Sequence, residues 1–252
     1  MTDLSVVSFN IRYDSPQDGI NRWRRRRQAL AQVVAAFNAD IVGLQEVQAQ
    51  QRRYLHKHLG QPLGWYGVGR SDGNQAGEQC PILVGPSWQV QSWRTRWLSA
   101  SPETIGSIGR HAKIPRVMTI MQLAHLQSSL TVAVANLHLD HTSDQARIAG
   151  IEVVLDQLRE VSSERIIVMG DFNAEPDSAV YQMMLDAGFR DAHGPAAGGT
   201  FHAWRGDCGR RIDYLFVGGA IEVLGAHIDR TVIENRLPSD HWPIAARLRL
   251  RS

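Results

Sequence analysis

The order of apolar segments predicts an α/β protein in which two β-sheets pack face to face with helices on their outer surfaces. Strand-like runs recur along the chain, helical patterns fall between some of them, and the mixture repeats in two similar halves. The 252 residues, 43% hydrophobic and 21% charged, have the profile of a soluble globular protein. No Pro-, Gly- and Ser-rich linker and no short repeat divides them, so one domain over residues 1–252 is expected.

Taken in order, β-branched or alternating runs predict strands over Leu4–Asn10, Asp40–Val47, Pro81–Val84, Val117–Leu126, Leu130–Leu139, Arg165–Met169, Arg211–Val217, Ile221–Asp229 and Trp242–Leu250. A helix is expected over Asn21–Phe37, with Trp23, Leu30, Val34 and Phe37 on one face behind an Asn21 cap. Arg24 to Arg27 wrap round that helix and read as a solvated surface. Thr142-x-x-Gln145 has the pattern of a capping box ahead of Ile151, Val154, Leu155 and Leu158. A third helix over Ser178–Ala187 stops at Gly188. Trp88, Trp93 and Trp97 around Gln89–Leu98 read as a core or bulged strand, with a membrane probe or a base-stacking surface as alternatives.

The formal charge is +2, from 27 basic and 25 acidic residues, and only Lys57 and Lys113 among the basic ones are lysine. Guanidinium forks suit phosphate and carboxylate, although a GC-rich genome gives the same bias without function. Cys80 and Cys208 lie far apart with no C-x-x-C spacing and are expected as free thiols, so no disulfide framework or zinc cluster is implied. The N-terminus carries no signal pattern and no apolar run approaches about 18 residues, so a cytoplasmic, membrane-free protein is expected. No obligate protein partner is suggested.

Several apolar runs end in groups that bind metal or phosphate, where turn residues are the usual stop. Val6 to Phe9 lead to Asn10, Ile41 to Leu44 to Gln45-Glu46, Val132 to Ala135 to Asn136-Leu137-His138, and Ile166 to Met169 to Gly170-Asp171-Phe172-Asn173. Ligand sites in such sheets lie beyond the strand ends, where polar groups from several strands meet. Acids and amides are hard oxygen ligands, suited to Mg²⁺ or Mn²⁺.

These residues carry a family resemblance. Ser8-Phe9-Asn10, Leu44-Gln45-Glu46-Val47, Asn136-Leu137-His138-Leu139-Asp140-His141, Gly170-Asp171-Phe172-Asn173, Arg211-Ile212-Asp213-Tyr214 and Ser239-Asp240-His241 stand in the order and rough spacing of the endonuclease/exonuclease/phosphatase superfamily of metal-dependent phosphoesterases. The resemblance implies a four-layer α/β/β/α sandwich, two packed mixed β-sheets flanked by helices, as in DNase I-like proteins. It implies Glu46 as the principal metal carboxylate, Asn10 beside it and Asp240 as a further metal-side acid. Asp171 and Asn173 resemble the pair that activates and positions water. His241 resembles the histidine facing the scissile phosphate, Asp213 the acid that orients it, and His138 a phosphate or leaving-group contact. Arg12 departs from the pattern: many nuclease members carry an acid two residues after the strand-one Asn, and a phosphate donor replaces it here. Ser8–Tyr13, Asn21-Arg22-Trp23 and Gly77-Glu78-Gln79-Cys80-Pro81 resemble a bacterial branch, and Thr200-Phe201-His202 resembles the deadenylase-like branch.

The expected function is Mg²⁺- or Mn²⁺-dependent hydrolysis of a phosphodiester in nucleic acid or a nucleotide. Attack on an anionic phosphorus needs charge screened, a water deprotonated and a leaving alkoxide stabilised. The alternatives are a phosphatase or diesterase on a sugar, inositol or lipid phosphoester, and a binding module without catalysis.

Overall fold

The computed structural model describes residues 1–207 and 209–251. Cys208, expected as a free thiol, lies outside them; Cys80 is a buried free thiol. The strands form two mixed sheets of six. One contains β1 (Thr2–Asn10), β2 (Ile41–Gln45), β3 (Gly64–Tyr66), β4 (Ile82–Val84), β11 (Ile221–Ile228) and β12 (Ile244–Leu250), in the order β11-β12-β1-β2-β4-β3. The other contains β5 (Trp88–Trp97), β6 (Val117–His125), β7 (Thr131–His138), β8 (Arg165–Asp171), β9 (Arg190–Asp191) and β10 (Asp213–Gly219), in the order β5-β6-β7-β8-β10-β9.

Alternation along β1 sends Leu4 and Val6 into the core between the sheets, with Ile167, Met169 and Leu215. Val7 and Phe9 point the other way, against Leu30 and Val34 of α1 (Trp23–Ala36) and Leu55 of α2 (Ala49–His58). On the far side, α3 (Asp144–Arg159) and α4 (Ala179–Asp186) pack Ile151, Val154 and Met184 against Leu137, Val168 and Phe216. The layers are therefore helix, sheet, sheet, helix. With both faces of β2 and β7 covered, polar groups on these strands are displaced toward their ends.

Topology decides which ends meet. β1 and β2 are parallel, with α1 crossing between them, and Asn10 pairs with Gln45. β7 and β8 are parallel, with α3 crossing, and His138 pairs with Asp171. β10 runs antiparallel to β8, so its first residue, Asp213, lies opposite Asp171. β12 runs antiparallel to β1, and the residues just before it reach the same edge.

Some local expectations are corrected. Arg22, not Asn21, occupies the cap of α1 and makes no side-chain cap bond. Arg26, read as solvated, is 1% exposed, because four consecutive residues span a full helical turn and one of them must face inward. Ser143, not Thr142, caps α3 by accepting from the Ala146 N–H, while Thr142 donates to Asp140. Helix α2 shows no apolar stripe in sequence, since only Leu55 and Gln51 are buried; Gln51 reaches back to the Gln48 N–H at 3.0 Å and starts it. The strand over 88–97 carries a bulge between Val90 and Ser92, as the tryptophan spacing suggests. Among the described residues no helix is long and apolar enough to cross a membrane.

Candidate active site

At the shared edge, the fully buried Asn10 donates its amide to Glu46 Oε1 at 3.0 Å and to Asp171 Oδ2 at 2.9 Å, tying one sheet to the other. Its oxygen accepts the Arg12 N–H at 2.9 Å. Asn10, expected on the metal side, faces both carboxylates as a donor and holds them. The Tyr13 N–H reaches Glu46 Oε2 at 2.9 Å, and the Asn173 N–H reaches Asp171 Oδ1 at 2.9 Å. Arg12, Glu46 and Asn173 all have positive φ, at 54°, 62° and 50°, a strained state that concentrates at functional sites. Gly170, with φ of 146°, makes the approach possible: a Cβ there would lie 2.0 Å from the Leu137 carbonyl oxygen.

The second group is a chain of imidazoles and acids. His241 Nδ1 lies 2.8 Å from Asp213 Oδ2, and its Nε2 lies 3.8 Å from Asp171 Oδ2. Burial opposes charge on His241, but Asp213 outweighs it and raises the imidazole to about 10. Burial, reinforced by Asp213, lifts the Asp171 carboxyl to about 7. Asp213 itself is held by the Thr200 hydroxyl, which accepts from its backbone N–H at 3.1 Å. Asp240 is raised by burial, and Ser239 joins it to the Asn10 carbonyl through a 2.7 Å bond.

His138 Nε2 lies 3.4 Å from Asp171 Oδ2, and its Nδ1 lies 3.1 Å from Arg116 Nη1. A guanidinium only donates, so His138 Nδ1 accepts and the proton sits on Nε2, facing Asp171. Burial, with Arg116 beside it, lowers the His138 pKa well below its usual value, in keeping with a neutral ring. Arg116 Nη2 makes the same contact with His141 Nδ1 at 2.8 Å. Arg12 pairs with Asp18 at 2.9 Å and lies 3.8 Å from Asp240.

Together these groups line a cavity of about 430 Å³, with Asn10 and Asp213 bracing it from behind. Arg70, Glu78, Arg116, His141 and Arg210 also line it and were not assigned a role from sequence. Glu78 and His141 sit inside quoted motifs. Arg116 had a fainter signal: it immediately precedes β6, which runs antiparallel to β7, so it comes to the end where β7 delivers His138. Arg26, read from the sequence as solvated, holds the loops beside the site. Its guanidinium donates to the carbonyls of Ile11 at 2.6 Å, Arg12 at 2.6 Å and Pro238 at 2.9 Å, joining the loop after β1 to the loop before β12.

The donor set fits a divalent cation. Carboxylate oxygens of Glu46 and Asp171 lie within 4.8 Å of each other. Asp240 is buried on the same cavity, with Oδ2 3.8 Å from Arg12 Nε. Two carboxylates that share Asn10 as a donor, with the buried Asp240 on the same cavity, form a hard-oxygen environment suited to such an ion. The protonated Nε2 leaves His138 as a donor and not a ligand.

The sequence model described as the Endonuclease/Exonuclease/phosphatase family matches residues 7–241. A solved endonuclease/exonuclease/phosphatase from Bacteroides vulgatus is 31% identical, with a TM-score of 0.93 and all of both chains covered. A mannosyl-6-phosphatase from Bacteroides thetaiotaomicron is 27% identical at a TM-score of 0.90, covering 98% of this chain and 100% of that one. A Drosophila melanogaster protein provisionally named a neutral sphingomyelinase is 26% identical over 289 residues; 99% of this chain aligns and spans 61% of that relative's length.

Proposed function

The chain belongs to the endonuclease/exonuclease/phosphatase family, and from that premise we propose that it is a divalent-metal-dependent phosphoesterase that hydrolyses phosphodiester bonds in nucleic acid or nucleotides. The observation that carries this is the Asp171 carboxylate, set between Asn10, His138 and His241 with Glu46 on the same amide. Glu46 and Asp240 would hold Mg²⁺ or Mn²⁺, which when bound screens the charge of the phosphate.

Asp171, near 7, suits a base that takes a proton from water at neutral pH, and the Asn173 N–H keeps its other oxygen in place. His241, charged and buttressed by Asp213, offers an N–H to a phosphate oxygen. His138 offers a second, neutral donor through Nε2, and Arg12, lining the same cavity, a third.

A second reading, a phosphatase for a compact sugar phosphate, is favoured by Arg12, Arg70, Arg116 and Arg210 around one cavity and by similarity to the mannosyl-6-phosphatase. A panel of phosphomonoesters, small diesters and single- and double-stranded nucleic acids, with Mg²⁺ and with Mn²⁺, separates them. Turnover of diesters that Glu46→Gln abolishes is expected. Turnover confined to monoesters selects the second reading, and none at all overturns both.

A further inference from the structure

A second cavity, of about 520 Å³, lies beside the first. The segment between them is extended: Val47 and Gln79 pair as an isolated bridge, and consecutive residues of it face opposite ways. Glu78 lines the catalytic cavity and Gln79 the neighbouring one. Among the described residues no acid lines this second cavity, whereas Arg52, Arg53 and His56 do.

Arg52 is partly buried, and its contacts are neutral oxygens: the Gly67 carbonyl and Gln79 Oε1, both at 3.2 Å. Burial lowers its pKa with no carboxylate acting against that. Gln79 is wholly buried; Arg52 fixes its oxygen, and its Nε2 has no partner among the described residues. Two flat walls complete the site. Trp65 lies 5.8 Å from the Arg52 guanidinium, and Trp93, 43% exposed, is braced edge-on by Tyr66 at 5.8 Å.

We propose that this cavity is a subsite for single-stranded nucleic acid, in which a base stacks on Trp93 and the adjoining phosphate is held by Arg52 and Arg53. Unneutralised guanidinium beside exposed indole is the pairing that binds a single strand without sequence preference. The orphan Gln79 amide supplies a donor. The subsite rests on the phosphodiesterase reading, since it would seat the strand on one side of the scissile bond.

The test is fluorescence anisotropy of a labelled ten-residue oligothymidylate in EDTA, where cleavage stops. Trp93→Ala should weaken binding about 5- to 100-fold, and Trp93→Phe should recover most of it. Arg53→Ala should reduce the slope of log K against log[salt] by about 0.7. Unchanged affinity in both alanine variants overturns the proposal, as does capture by phosphatidylserine vesicles with no binding of the oligonucleotide. Turnover of bis-p-nitrophenyl phosphate by the unsubstituted protein tests the catalytic reading separately. Loss of that turnover with Trp93-dependent strand binding intact would leave the subsite standing.

Discussion

Arg116 donates to His138 Nδ1 at 3.1 Å, and this one contact fixes which nitrogen of a candidate-site imidazole carries the proton. Removing the guanidinium frees the ring to adopt the other tautomer, with Nε2 bare and facing the Asp171 carboxylate. Arg116→Gln should lower kcat about 10- to 100-fold, the range for outer partners that orient functional histidines. Nitrogen-15 NMR should show His138 moving from a single Nε2–H form to a mixture. A lower kcat with no tautomer change would mean that Arg116 acts on substrate directly.

The Asp213–His241 pair should behave as a unit. His241→Ala is expected to cost more than Asp213→Asn, and the double variant little more than His241→Ala alone. Losses that add in full would mean that the two residues act separately.

Mn²⁺ should raise the Tm of the unsubstituted protein, and Glu46→Ala should abolish both that rise and metal-stimulated hydrolysis, with circular dichroism unchanged. Asp171→Asn should lower kcat by about 10²–10⁴ while KM moves little. A loss seen wholly in KM would make Asp171 a binding group.

The pH dependence follows from Asp171, near 7, and His241, near 10. Activity should rise as Asp171 ionises and fall as His241 loses its proton. Both folded values exceed the ordinary 3.8 and 6.5, so each stabilising contribution is full below the ordinary value and is lost as pH rises through the folded one. Metal-free protein should therefore lose stability between about pH 4 and 7 through Asp171, and Asp171→Asn should lack that decline in thermal unfolding. A decline of equal size in the variant would assign it to other groups.

Neighbouring arginines on α1 should differ sharply. Arg26→Ala leaves the Ile11, Arg12 and Pro238 carbonyls without their donor, a loss of about 3 kcal/mol in urea unfolding. Arg25→Ala, on the exposed side, should stay within about 0.5 kcal/mol. Equal effects would remove the argument that Arg26 joins the two loops.

Strand-end chemistry made much of the site legible in the sequence. Glu46, His138 and Asp171 each follow an apolar run read as a strand, and the structure brings those strand ends together. The layered fold followed from the same runs. Arg116 and Arg26 were not legible, because their roles depend on partners 22 and 212 residues away in Arg116–His138 and Arg26–Pro238. Helix α2 lacked a stripe, and the Asn10 amide could be assigned a donor role only once the Arg12 N–H was seen to take its oxygen.

Asn10 and Glu46 come from one sheet, and His138, Asp171 and Asp213 from the other, with β12 from the far end of the chain lying beside β1. A chain that has formed either sheet alone thus contains no competent centre, and neither does a growing chain before its last strand docks. Recovery of turnover during refolding should consequently lag behind recovery of β-structure and coincide with closure of the sandwich, so that hydrolysis itself becomes a clock for the final assembly step.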